Sequence, residues 1–213
     1  MPWQNLFESA TLSFDQGNYL ETEKLLISAL KKTESFDKTD IRKLQTINKL
    51  ADLYDEQAKY DEASSLYNQA NYIIGVLGLE NIETATTLYG LGKLSKSLAK
   101  YQEAESYLIQ ALTIRKNLLG AKHPNFAATL DLLGLVYLMI GQYSKAEPLL
   151  EEALSIYKSC FGDKHLEVAC SLNSLGALHS YKSNYQQTEY LYNQAWQIYQ
   201  ETQTTEHPKN GHR

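Results

Sequence analysis

Three groups of residues have the types, and at first sight the spacing, for chemistry. Gly90-Leu91-Gly92-Lys93 holds the glycine and lysine of a phosphate-cradling loop. Such a loop needs Gly-x-x-x-x-Gly-Lys followed by Ser or Thr, because glycine backbone wraps the phosphates and the hydroxyl reaches the magnesium ion. Here Thr87 stands where the first glycine belongs and Leu94 follows the lysine, so nucleotide binding is not expected. His123, His165 and His207 recur 42 residues apart. That spacing sets them one structural unit apart rather than converging on a metal ion, and it predicts cap or loop roles. Cys160 and Cys170 lack a neighbouring His/Asp set that would make either a nucleophile. His179 takes a slot filled elsewhere by Tyr54 and Tyr137, which reads as core packing, and Asp61-Glu62 and Glu151-Glu152 read as solvated charges. No catalytic centre, cofactor or metal is expected.

Composition narrows the function classes further. The chain has 213 residues, 43% apolar and 21% charged, too apolar for a disordered segment. Its net charge is −5 with Lys and Arg scattered, so no basic stripe predicts nucleic-acid binding. No run of 18 apolar residues predicts a membrane span, and the first residues lack the pattern of a signal peptide. Two cysteines make no disulfide framework, and a cytoplasmic protein is the simplest expectation.

The elements that position these residues are read from a repeat. A tyrosine recurs at Tyr19, Tyr60, Tyr101, Tyr143 and Tyr185, with spacings of 41, 41, 42 and 42 residues. Nine residues before it stand only small residues: Ala10, Ala51, Gly92, Gly134 and Gly176. Thirteen before it the residue is Leu or Ile, and ten after it always alanine. Three after come Thr22, Ala63, Ala104, Ala146 and Thr188; seven after come Leu26, Tyr67, Leu108, Leu150 and Tyr192. Offsets of three, four and seven mark one face of a helix, so each tyrosine sits between two helices. Mid-helix glycine costs up to about 1 kcal/mol relative to alanine, so close helix approach must outweigh it there. The spacing predicts helix pairs at 3–16 with 19–33, 42–57 with 60–75, 82–98 with 101–117, 125–140 with 143–159, and 167–182 with 185–202. Repeats then fall at about 3–39, 40–79, 80–121, 122–163 and 164–203, a single array over 1–203, leaving 204–213 as a tail or the start of a cut sixth repeat.

These anchors resemble the tetratricopeptide repeat. The 42-residue period, His123-Pro-Asn-Phe-Ala-Ala-Thr-Leu130 and Tyr143-Ser-Lys-Ala-Glu-Pro-Leu149 are similar to kinesin-light-chain-type repeats, closely over 80–200 and more loosely over 1–80. The resemblance implies an all-α, right-handed superhelical solenoid of five repeats, binding peptides or proteins in a concave groove lined by the first helices. Two features depart from that family: no heptad stretch precedes the repeats, and the paired groove asparagines are reduced to Asn48 and Asn173, with Phe7, Tyr89 and Asp131 at the matching places. A stand-alone relative is implied rather than a motor subunit.

On that reading the groove is lined by residues twelve, eight and five before each tyrosine. The expected binding residues are Asn48, Asp52, Tyr89, Lys93, Lys96, Asp131, Leu135, Leu138 and Asn173, with nearby Tyr181. Lys93, Lys96 and Tyr89 would anchor an acidic segment, and Leu135 with Leu138 would take an apolar side chain. The expected function is a non-enzymatic scaffold or adaptor; the alternatives are an architectural self-associating protein or one arm of a larger regulatory protein. At the C-terminal end Leu191, Trp196, Ile198 and Tyr199 are expected to lie uncovered and to support a homodimer.

Overall fold

The computed structural model describes residues 1–37, 40–78 and 80–206. Its described residues form ten helices in five helix-turn-helix pairs and no strand. The helices are α1 (Trp3–Asp15), α2 (Tyr19–Thr33), α3 (Ile41–Glu56), α4 (Tyr60–Leu77), α5 (Ile82–Ser97), α6 (Tyr101–Leu119), α7 (Pro124–Met139), α8 (Tyr143–Phe161), α9 (Leu166–Tyr181) and α10 (Tyr185–Glu206). First helices match their expected spans to within a residue, whereas second helices after the first pair run longer, α10 to Glu206. The chain divides into two compact units, Met1–Ile114 and Arg115–Arg213. The segment His207-Pro208, which would open a sixth repeat, lies outside the described residues.

Every repeat tyrosine is the first residue of a second helix, and the turn before it is built the same way five times. Two residues earlier the backbone is left-handed, at Gly17, Ala58, Ala99, Gly141 and Ser183. The amide after that residue closes back on the sixth residue before the tyrosine, as in Lys59 N–H to Tyr54 C=O at 2.8 Å and Gln142 N–H to Tyr137 C=O at 2.8 Å. This Schellman closure satisfies the end carbonyls of the first helix and reverses the chain within two residues. Between repeats, side chains cap the next helix. Asp40 accepts from Arg42 N–H, Asn81 from Thr84 N–H, and the Nδ1 atoms of His123 and His165 from the amides of Asn125 and Glu167 at 3.0 and 3.2 Å. The two described histidines of the 42-residue series are thus N-caps.

Packing within a pair follows from the small residues. A Cβ on Gly92 would come within 2.6 Å of Leu108, on Gly134 within 2.7 Å of Leu150, and on Gly176 within 2.4 Å of Tyr192. The position nine before the tyrosine therefore meets the position seven after it, and the alanines ten after are fully buried. Among the described residues no helix is long and apolar enough to cross a membrane.

Candidate protein-binding surface

On α3 and α5 the polar residues of the first helices are knitted together. The Asn48 side chain is buried, where its Oδ1 accepts from Thr87 Oγ1 at 2.8 Å and its Nδ2 donates to the Glu83 carbonyl at 3.4 Å. Asp52 accepts the Tyr67 phenol proton at 2.5 Å. Burial pushes the Asp52 carboxyl above its ordinary range, against the Tyr67 hydrogen bond and the cations Lys93 and Lys49 that pull it down. Burial and the adjacent Asp52 likewise raise Tyr67 well above the usual phenol value. Lys93 spans to Asp55 at 3.0 Å and to Glu56 at 2.5 Å. Its burial opposes the charge, but these two carboxylates prevail and raise its pKa.

This geometry corrects part of the sequence-based assignment. Lys93 is committed to two carboxylates of α3 and is not a free anchor for an acidic segment. Asn48 is 2% exposed and holds α3 to α5 instead of reaching for a ligand. In the second unit Asp131 plays a similar part, accepting from Ser174 Oγ at 3.1 Å, and Asn173 donates to the Tyr199 hydroxyl at 3.2 Å. Leu138 is 1% exposed and belongs to the core. The reason is helical phase: Leu138 lies four residues after Gly134, as Asp55 does after Ala51, which turns both toward the neighbouring helices.

The accessible line on each first helix is one residue further round. Eight before the tyrosine stand Thr11, Asp52, Lys93, Leu135 and Ala177, all half-buried; four before stand Asp15, Glu56, Ser97, Met139 and Tyr181, all exposed. Tyr89 and Lys96 are half-buried beside it, and Lys96 makes no ion pair among the described residues. The line four before the tyrosine was missed as a series, although a signal existed: no two of its copies carry the same residue, unlike the small and apolar series. Its chemistry differs between units. In the first it is charged, with Asp52, Glu56 and Lys93; in the second it is Leu135, Met139, Ala177 and Tyr181, with Met139 at 43% and Tyr181 at 56% exposure.

The expected self-association residues also divide. Leu191 and Ile198 are buried, at 6% and 8% exposure. Leu191 shares a cleft with Leu154 and Ser155 of α8 and Leu175 of α9, so it faces the preceding repeat. Trp196 is exposed, and Tyr199 is half-buried against Cys170 and Asn173. Burial and the Cys170 contact push the Tyr199 phenol up to about 12. A homodimer built on Leu191 and Ile198 has no exposed surface to use.

The tetratricopeptide repeat family matches residues 5–70, 83–159 and 145–201, most of the chain. The chain belongs to the tetratricopeptide repeat family. Among solved structures it is similar to BtubC (BKLC) from P. vanneervenii, at 25% identity and a TM-score of 0.75 over 96% of this chain and 81% of that one. A kinesin-light-chain protein of nearly identical TPR-like repeats from Podosopora anserina matches at 23% identity and a TM-score of 0.72, covering 94% of this chain and 95% of the other. A Rap protein complexed with Competence and Sporulation Factor matches at 18% identity and a TM-score of 0.78, over 92% of this chain but 53% of its own length. The comparison with curated proteins gave no match. The helix-pair repeats are thus those of the tetratricopeptide family, a fold whose typical role is a protein-interaction scaffold.

Proposed function

We propose that this tetratricopeptide protein is a non-enzymatic adaptor that captures a protein segment on the accessible line of its first helices. The observation that carries this reading is the apolar stretch of that line in the second unit. Leu135, Met139, Ala177 and Tyr181 present aliphatic, thioether and aromatic surface at the places where the first unit carries charges. Apolar side chains aligned at turn spacing on exposed helix faces mark binding surfaces more often than solvated ones. The Rap relative, solved with Competence and Sporulation Factor, supports ligand capture by this fold. The bound segment carries an apolar anchor for Met139 and Tyr181, while Tyr89 and Lys96 offer a polar surface of the first unit by itself.

The test is to pan a random peptide library on the whole chain and on a Met139→Glu, Tyr181→Glu variant. Peptides enriched on the first should share an apolar residue and lose at least about tenfold in affinity on the second. Both side chains are exposed, so thermal stability should be unchanged. Enrichment of the same peptides on both proteins would reject this surface.

A further inference from the structure

In each unit a carboxylate four residues after a repeat tyrosine ties that second helix to the end of the next first helix, but the partner differs. In repeat one it is Glu23, which accepts from the Tyr54 hydroxyl at 2.8 Å. In repeat four it is Glu147, and His179 stands where Tyr54 does. The buried Nδ1 of His179 has no hydrogen-bond partner among the described residues. Glu147 is bound instead by Lys182, whose Nζ donates to its two oxygens at 2.8 and 2.9 Å. Lys145, two residues before Glu147, lies over the Tyr137 ring at 5.1 Å.

Lys182 directly follows Tyr181, the last residue of α9, and Glu147 lies one turn after Tyr143, the first residue of α8. The rings of Tyr143 and Tyr181 are 6.2 Å apart and tilted by 40°. The ion pair and the ring pair thus join the same two helix ends. Lys182 and Glu147 leave 36% and 30% of their side chains in water, too much for the pair to add greatly to stability. Its effect is to remove a freedom: the last turn of α9, which carries Tyr181, is held against α8 while Lys182 is bound. Met139, at the same place in repeat four, is 43% exposed although repeat five follows it, so this position faces outward with a further repeat behind it. Given the place of Tyr181 on the capture line, we infer that Glu147 is a positioning residue. Through Lys182 it sets the Tyr181 ring for the bound segment, and histidine at 179 frees it to do so.

Fluorine NMR of the whole chain labelled with 3-fluorotyrosine, its Tyr181 signal assigned by Tyr181→Phe, reads this ring without a ligand. Glu147→Gln and Lys182→Met should each shift or broaden the signal while leaving the urea midpoint unchanged, and Lys182→Arg should preserve it. His179→Tyr should shift it as well, because the new phenol takes Glu147 as Tyr54 takes Glu23. The binding arm uses an uncharged library peptide that loses affinity on Tyr181→Glu. It should bind Glu147→Gln and Lys182→Met about two- to fivefold more weakly than the wild type. Added sodium chloride should weaken its hold on the wild type but on neither variant, because salt screens the ion pair. A Tyr181 signal unmoved by Glu147→Gln and Lys182→Met, or equal affinity of that peptide for all three chains, would overturn the positioning role. A library without a Tyr181-dependent peptide would instead reject the capture line, and the fluorine signal would still decide whether Glu147 positions the ring.

Discussion

The ring of Tyr67 lies against Gly90 of the following repeat so closely that a methyl group on that glycine would stand 2.3 Å from it. The contact places the phenol within reach of Asp52, and it explains a mid-helix glycine that helix propensity alone disfavours. Gly90→Ala should therefore destabilise by about 1–3 kcal/mol in urea unfolding, because backbone or ring must shift. Gly75, in the last turn of α4 and with nothing within 4 Å of where its methyl would stand, is the control. Gly75→Ala should stabilise by about 0.4–1 kcal/mol. Equal effects at the two sites would refute the contact.

The Asp52–Tyr67 pair gives a pH dependence with a defined sign. Burial raises the Asp52 carboxyl above its unfolded value, so the folded state holds this proton more tightly. Its contribution to stability is full below the ordinary aspartate range, near about 3.9, and is lost as pH rises through the raised folded value. Asp52→Asn keeps an acceptor for the Tyr67 hydroxyl and removes the ionisation. Measured as urea midpoints from pH 3.5 to 8, the wild type should lose ground to the variant as pH rises and then level off. A gain for the wild type with rising pH would show that Lys93 and Lys49 outweigh burial.

Three of the five hairpin turns hold a non-glycine residue where the backbone is left-handed: Ala58, Ala99 and Ser183, at φ of 56°, 57° and 59°. Left-handed backbone costs an L-residue roughly 1–2 kcal/mol, part of which glycine gives back through its freer unfolded chain. Ala58→Gly and Ala99→Gly should each stabilise by about 0.5–1 kcal/mol, and Gly141→Ala should destabilise similarly. Thermal midpoints of the three single variants decide this, and a loss from either alanine replacement would contradict the turn geometry.

The repeat was legible in the sequence because its small positions are geometric necessities: Gly92, Gly134 and Gly176 each face a large side chain of their own hairpin. The turns were less legible, since alanine and serine at 58, 99 and 183 hide a conformation that Gly17 and Gly141 advertise. Helix pairs were placed correctly, but the outward line was read out of phase. Asn48 and Leu138 have types compatible with a groove, yet both lie three or four residues from a small packing position and turn inward with it. Sequence alone also could not separate the two apolar sides of the last helix. Leu191 and Trp196 are equally hydrophobic signals, and only the packing of earlier repeats shows which faces back and which forward.

Lys93 reads as a surface charge in the sequence and is a structural one in the fold. It is the cation against the Asp55 carboxylate, whose side chain is 4% exposed and whose Oδ1 has no hydrogen-bond partner among the described residues. Lys93→Met should cost roughly 1–3 kcal/mol by leaving a buried carboxylate without its donor. Lys96→Met, a turn away and without an ion pair among the described residues, should change stability by less than about 0.5 kcal/mol. Equal, small effects of both in urea unfolding would remove Lys93 from the α3–α5 seam.

The last helix offers the sharpest separation of core from open surface. Leu191 is 6% exposed, next to Leu154 of α8 and Leu175 of α9, and truncating it leaves a cavity that the preceding repeat cannot refill. Leu191→Ala should therefore cost about 2–4 kcal/mol, the transfer energy of the lost methyls together with the void. Trp196, five residues on, carries far more apolar surface but leaves 60% of it in water. Trp196→Ala should change stability by less than about 1 kcal/mol, because little burial is lost when most of the ring was never covered. The ordering runs against residue size, so it cannot arise from hydrophobicity alone. Urea unfolding of both variants at several protein concentrations supplies the measurement. A large loss at Trp196 that grows as the protein is diluted would mean the ring is buried against another molecule, and a small loss at Leu191 would mean that α10 does not pack back on α8.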